Sequence, residues 1–203
     1  MMIGKLLEAL RGGMLRLHHP DLAVAFAIPS HLTMRERVAL RRLAGSCRQV
    51  LEIGSYVGAS ACCFGAAAKA AGAGRVICVD TWKNEGMSEG SRDTYSEFVA
   101  NTKSYAEFIV PIRGRSVAVV DQVQGMAGDL DLLFFDGDHS YVGVKADWDA
   151  YRHILKPGAI VIFHDWGWAE GVKRVVAENV MPQVTSFDSL PNMWWGTIGV
   201  AAC

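Results

Sequence analysis

No part of this sequence is strongly charged, continuously apolar or organised around cysteine pairs, and each absence removes a class of protein. Lysine and arginine total 20 against 21 aspartates and glutamates, a formal net charge of -1. With no basic run and no heptad, the chain has no electrostatic footprint for nucleic acid. No apolar run reaches the roughly 18 residues that a membrane span needs. Residues 1–16 lack the apolar core and cleavage site of a signal peptide, so a cytoplasmic protein is expected. The cysteines, Cys47, Cys62, Cys63, Cys78 and Cys203, are odd in number and include no C-x-x-C pair. That suits a reducing compartment better than a disulfide framework, and Cys62 and Cys63 are expected to pack inside a helix. Internal repeats, low-complexity tracts and linkers are missing too. A chain of 203 residues, 51% hydrophobic and 20% charged, is therefore expected to fold as a single domain over 1–203, burying roughly 70% of its unfolded surface.

What is present concentrates at residues 48–60, where an apolar strand runs into a glycine-bearing turn and then a helix of small residues. Glu52 falls at the end of the strand. Gly54 and Gly58 stand where a side chain would keep the backbone from a ligand. A dinucleotide cradle reads G-x-G-x-x-G, but here Tyr56 takes the second glycine's place and its phenol would occupy the space of a pyrophosphate. A nicotinamide cofactor is disfavoured on that ground. Asp80 closes the next apolar strand, where a carboxylate can accept both hydroxyls of a ribose or simply form a turn.

Around this cradle the pattern alternates strand and helix. Thr33-Met-Arg-Glu36 is a capping box that starts a helix near residue 34. Strands are predicted over 49–53, 75–80, 108–112, 130–135 and 159–163, with a closing pair over 184–187 and 194–200, the last antiparallel. Helices are predicted over 59–71, 92–106, 116–127, 142–154 and 169–180, and Lys156-Pro-Gly158 as a turn. This is an α/β, Rossmann-like three-layer sandwich with a mostly parallel seven-stranded sheet, its ligand at the carboxyl ends of the strands. Residues 1–33 are expected to form an N-terminal helical segment ahead of a core over 34–203. Leu6, Leu7, Leu10 and Met14 share one helical face, read as a lid rather than a membrane-surface anchor. Trp194 and Trp195 are read as core or homodimer packing.

The motif Glu52-x-Gly54-x-x-x-Gly58-x-Ser60 resembles the first motif of class I S-adenosylmethionine-dependent methyltransferases. Asp136-Gly-Asp-His-Ser-Tyr141, with Leu155-Lys-Pro-Gly158 and Phe163-His-Asp165, narrows the resemblance. These segments are similar to the small-molecule O-methyltransferases related to macrocin O-methyltransferase and, more distantly, catechol O-methyltransferase. The resemblance covers about residues 48–165. It implies that Glu52, Gly54, Ser55, Gly58 and Ser60 form the cofactor cradle, that Asp80 contacts the ribose, that Trp82 lies along the ribose or covers the sheet edge, that Ser116 meets the adenine or caps a helix, and that Asp136 orients the methionine amino group. It also implies His139 as the general base, three residues after the fourth-strand aspartate.

Metal-dependent relatives hold magnesium between the positions that match Asp136, His164 and Asp165. An imidazole at position 164 departs from that pattern. It weakens the site, shifts it toward a transition metal, or signals that no ion binds. The methyl acceptor is expected to be a small molecule with a sugar, phenolic or natural-product hydroxyl, recognised by 17–30, 83–95, Trp166 and Trp168. Cephalosporin hydroxylase-like proteins share this motif set, and a non-catalytic ligand-binding subunit would keep the same cradle.

Overall fold

The computed structural model describes residues 12–84 and 90–199. Its spine is a seven-stranded sheet in the order β3-β2-β1-β4-β5-β7-β6. The strands are β1 (Gln49–Ile53), β2 (Arg75–Asp80), β3 (Ile109–Arg113), β4 (Leu130–Phe135), β5 (Leu155–His164), β6 (Val184–Leu190) and β7 (Met193–Ile198). β1 to β5 are parallel, and the chain's last strand, β7, lies antiparallel between β5 and β6. The expected sheet is therefore the observed one.

Because side chains alternate across a strand, each central strand feeds two cores. Val50, Val76, Cys78, Leu132 and Phe134 face one layer of helices. Leu51, Ile53, Ile77, Val79, Leu133 and Phe135 face the other. The first layer holds α2 (Ala23–Ala27), α3 (Met34–Leu43), α4 (Ala59–Ala71) and α5 (Tyr95–Thr102), preceded by α1, which covers 12–18 among the described residues. The second holds α6 (Val120–Ala127), α7 (Tyr141–Tyr151) and α8 (Glu170–Val175). Burial of both faces explains why the strands are continuously apolar. Cys62 and Cys63 are wholly buried in the first core.

Local signals set the helix starts. Thr33 and Glu36 form the reciprocal capping box that begins α3. Gly72, at φ +65°, ends α4 with a left-handed cap. Several predicted helices are shorter, because their last turns tighten into 3-10 geometry at 103–105 and 152–154, or widen into a π turn at 176–180. Lys156-Pro-Gly158 is not a free turn. It lies within β5 as a bulge, where two steps of β4 from Leu130 to Leu132 face five of β5 from Leu155 to Ile160.

Ahead of α3, the buried Arg37 guanidinium donates to the carbonyls of Ala25, Ile28 and Leu32 at 2.5, 3.0 and 3.1 Å. This clamp holds the connection that carries Ser30 and His31. Of the expected lid face, Leu6, Leu7 and Leu10 lie outside the described residues, and Met14 is exposed. Residues 85–89 of the expected acceptor segment also lie outside them. No helix among the described residues is long and apolar enough to cross a membrane.

Candidate active site

The strand order reverses between β1 and β4, the position where open α/β sheets bind ligands. Ile53, Phe135 and Phe163 stand in register across β1, β4 and β5. One residue further along, the three strands deliver Gly54, Asp136 and His164 to the same level. A cleft opens there. It is lined by Ser30 and His31, by the loop from Gly54 to Ser60, and by the ends of β4 and β5 with His139, His164 and Asp165.

The loop half is built on its own hydrogen bonds. Asp80 Oδ2 accepts the amides of Ser55 and Tyr56, both at 2.8 Å, and Oδ1 accepts that of Trp82 at 2.7 Å. Tyr56, at φ +44°, adopts the left-handed backbone that a glycine would take. Asp80 holds its N–H, and the Trp82 indole donates to its carbonyl at 2.9 Å. Glu52 is wholly buried beneath the loop. Its Oε2 accepts the Ser55 hydroxyl at 2.6 Å, while Oε1 has no partner. Burial pushes the Glu52 carboxyl up to about 7, against the hydrogen bond from Ser55.

Several expected cofactor contacts are placed differently. Trp82 is wholly buried, packed on Tyr95 and Phe98 at 5.0 and 4.8 Å, and so supports the loop from below. Of its two expected places, along a ribose or as a cover, the packing matches the second, because its ring has no exposed face. Ser116 donates its hydroxyl to Asp147 and accepts the Tyr151 hydroxyl on its carbonyl at 2.6 Å. It ties the segment after β3 to α7 and does not line the cleft. The glycines answer to internal packing more than to a ligand. A Cβ at Gly54, φ +87°, would collide with the Asp136 carbonyl, and one at Gly58, φ +91°, would lie 2.8 Å from Thr102 Cγ2. Asp80 has one lone pair left, too few for both hydroxyls of a ribose while the loop keeps this conformation.

The other half concentrates charge. His139 Nε2 is 2.7 Å from Asp165 Oδ2. His164 Nδ1 lies 2.9 Å from Asp136 Oδ1 and 3.3 Å from Asp165 Oδ1, and its Nε2 lies 3.8 Å from Glu36 Oε2. The buried Nδ1 makes no aligned hydrogen bond at these distances. Burial alone would lower the pKa of His164, but the surrounding carboxylates, Asp136 foremost, push it up to about 12. Burial raises Asp136. Asp165, although burial raises it, is held well below the usual carboxylate range by His139 and His164. His139 is raised, mainly by its bond to Asp165.

The structure thus gathers Gly54, Ser55, Ser60, Asp136, His139, His164 and Asp165 around one cleft, with Glu52, Gly58, Asp80, Trp82 and Ser116 behind it or apart from it. It also adds residues that the sequence did not single out for this role. Asn192, in the β6–β7 turn, donates to Asp165 Oδ1 at 3.0 Å and accepts the Gly167 amide at 3.1 Å. Glu36, already recognisable as a capping residue, brings a third carboxylate toward His164, and His31 joins the lining. Only the capping box signals any of these in the sequence.

A family model described as a methyltransferase domain matches residues 51–166, more than half of the chain. The uncharacterized protein y4gI of Sinorhizobium fredii is 33% identical over 121 residues, which are 58% of this chain and 13% of that protein. The chain therefore spans a small part of that relative's length. The O-methyltransferase NovP superposes with a TM-score of 0.71 at 13% identity, over 84% of this chain and 82% of its own. The O-methyltransferase from Bacillus cereus in complex with SAH gives 0.65 at 15% identity, over 90% of each chain. At such identities the structural likeness is one of fold, and the family rests on the matched domain. The matched domain spans both the loop after β1 and the histidine–aspartate pair beyond β4 and β5, and the chain belongs to the methyltransferase domain family.

Proposed function

We propose that this protein transfers a methyl group from S-adenosylmethionine to a hydroxyl oxygen of a small molecule, with His139 taking the hydroxyl's proton. The observation that carries the reading is the pairing of His139 with Asp165 on the rim of a cleft whose opposite wall is the Gly54–Ser60 loop.

The residues fit this cofactor. Ser55 and Ser60 line the cleft, and Asp136 offers a carboxylate for the methionine ammonium. The unpartnered Oε1 of Glu52 adds a second acceptor beneath the loop, and the last lone pair of Asp80 suits one ribose hydroxyl. When bound, S-adenosylmethionine supplies an electrophilic methyl group whose bonding electrons stay with the departing sulfur. A neutral hydroxyl attacks such a carbon poorly, so a base within hydrogen-bond reach raises the rate. His139 meets that need, because its raised pKa makes it a stronger base than a free imidazole.

Magnesium does not fit the trio Asp136, His164 and Asp165. One of the three donors is the imidazole of His164, and magnesium prefers oxygen ligands. Asp165 Oδ1 already accepts two N–H bonds, from Trp168 and Asn192, and Oδ2 is engaged with His139. No step of the proposed reaction passes through an ion.

Calorimetry with S-adenosylmethionine, S-adenosylhomocysteine and NAD tests the cofactor, and labelled methyl transfer to a panel of phenols and glycosides tests the reaction. Binding of both adenosyl compounds with none of NAD is the expected result. Tight NAD binding with no affinity for the sulfonium compound would reject the proposal.

A further inference from the structure

Three separate elements converge on the carboxylate of Asp165. From the end of β5, at φ +59°, it receives the Trp168 indole N–H on Oδ1 at 2.8 Å and the Asn192 amide on the same oxygen at 3.0 Å. The backbone turns tightly around it, with the amides of Trp168 and Ala169 donating to the Asp165 carbonyl at 3.2 and 2.9 Å. Asn192 is itself fixed by the Gly167 amide. Rotating the carboxylate would break both side-chain bonds, so Oδ2 is directed at His139.

We propose that Asp165 is the orienting partner of His139, clamped by Trp168 and Asn192, and that this leaves Nδ1 as the ring nitrogen that receives the acceptor's proton. An ionised carboxylate can only accept a hydrogen bond. The proton in the 2.7 Å contact therefore belongs to His139 Nε2. A neutral ring that carries Nε2–H has its lone pair on Nδ1, since the hydrogen bond of one nitrogen selects the tautomer of the other. Trp168 closes the arrangement from outside. It is 59% exposed, yet its ring sits edge-on to His139 at 5.0 Å and its N–H is committed to Asp165. Asp165, Trp168 and Asn192 are thus positioning residues, which act on the acceptor through His139.

This arrangement competes with ion binding for the same carboxylate. An ion bridging Asp136, His164 and Asp165 would need an Asp165 oxygen, where Oδ1 is taken up by the clamp and Oδ2 has only one lone pair beside the contact with His139. The inference rests on the methyl-transfer reading only for the use made of the proton. The pairing itself stands on geometry.

The test is ¹⁵N-histidine NMR of the full chain at a pH where the ring is neutral, with His139 assigned by the signal lost in His139→Gln. The wild type is expected to show the Nε2–H tautomer. In Asp165→Asn the amide can present its own N–H to the ring, and the proton is expected to move to Nδ1. Trp168→Phe keeps an aromatic ring at an exposed position, removes one of the two clamping bonds, and is expected to give a mixture of tautomers in a folded protein. A wild type in the Nδ1–H form would overturn the proposal, as would a tautomer unchanged in both variants. Saturable calorimetric binding of Mg²⁺ or Mn²⁺ to the wild type, lost in Asp165→Asn, would also overturn it and assign Asp165 to an ion. A protein that shows the expected tautomers but binds no S-adenosylmethionine would sink the methyl-transfer reading and leave this pairing intact.

Discussion

The two walls of the cleft use carboxylates in opposite ways. On the β1–β2 side, Asp80 accepts three backbone amides and Glu52 accepts a serine hydroxyl. On the β4–β5 side, Asp136 and Asp165 face two imidazoles. The first wall spends its acids on shape, stiffening a loop whose backbone would otherwise be strained at Tyr56. The second holds opposite charges against each other where a proton can be moved. A shared fold position therefore does not fix a role for an acid, because the nearest donor decides whether it holds backbone or tunes a base.

Replacing His139 with Asn should produce the largest difference between the walls. Turnover is expected to fall by roughly 10²–10⁴-fold, with S-adenosylhomocysteine affinity unchanged by calorimetry. An equal loss of affinity would place His139 on the cofactor side and erase the distinction drawn here.

Glu52→Gln probes the other wall through stability. In the folded protein the carboxyl is pushed up to about 7 from its ordinary 4.5. The native state then binds the proton more tightly than the unfolded chain, and the wild type loses stability as pH rises through that window. The loss is about 3 kcal/mol, complete above neutrality. Denaturation of the glutamine variant should be flat over the same range, and the variant more stable above pH 7. Parallel curves for the two proteins would mean that Glu52 stays ionised inside the core.

The smallest effect is expected at Asp80. Asn in its place keeps one oxygen and exchanges the other for an N–H that repels the amides it meets, at a cost of about 1–3 kcal/mol in stability. If cofactor affinity falls as well, this acid serves ribose and loop together. If affinity holds, it serves the loop alone.

Much of this was legible in local sequence. The capping box at Thr33, the glycine that ends α4 and the alternation of strand and helix depend on residues a few positions apart. Tyr56 in place of a second glycine disfavoured a dinucleotide before any coordinates. Trp82 was open in the sequence because an aromatic residue after β2 has the same signature whether it covers a ligand or a core, and only the packing of Tyr95 and Phe98 separates the two. Asn192 carried no signal. It is an ordinary turn residue until the β6–β7 hairpin returns it to the end of β5.

By itself, then, the chain's order of residues determined the sheet, the family and the set of acids and histidines at one end of the strands, since periodicity, capping and turn chemistry act between near neighbours. Only the tertiary structure decided which group each acid serves. Hydrogen bonds form over about 3 Å, and whether Asp165 meets His139, Trp168 and Asn192 depends on how strands far apart in the chain are laid side by side.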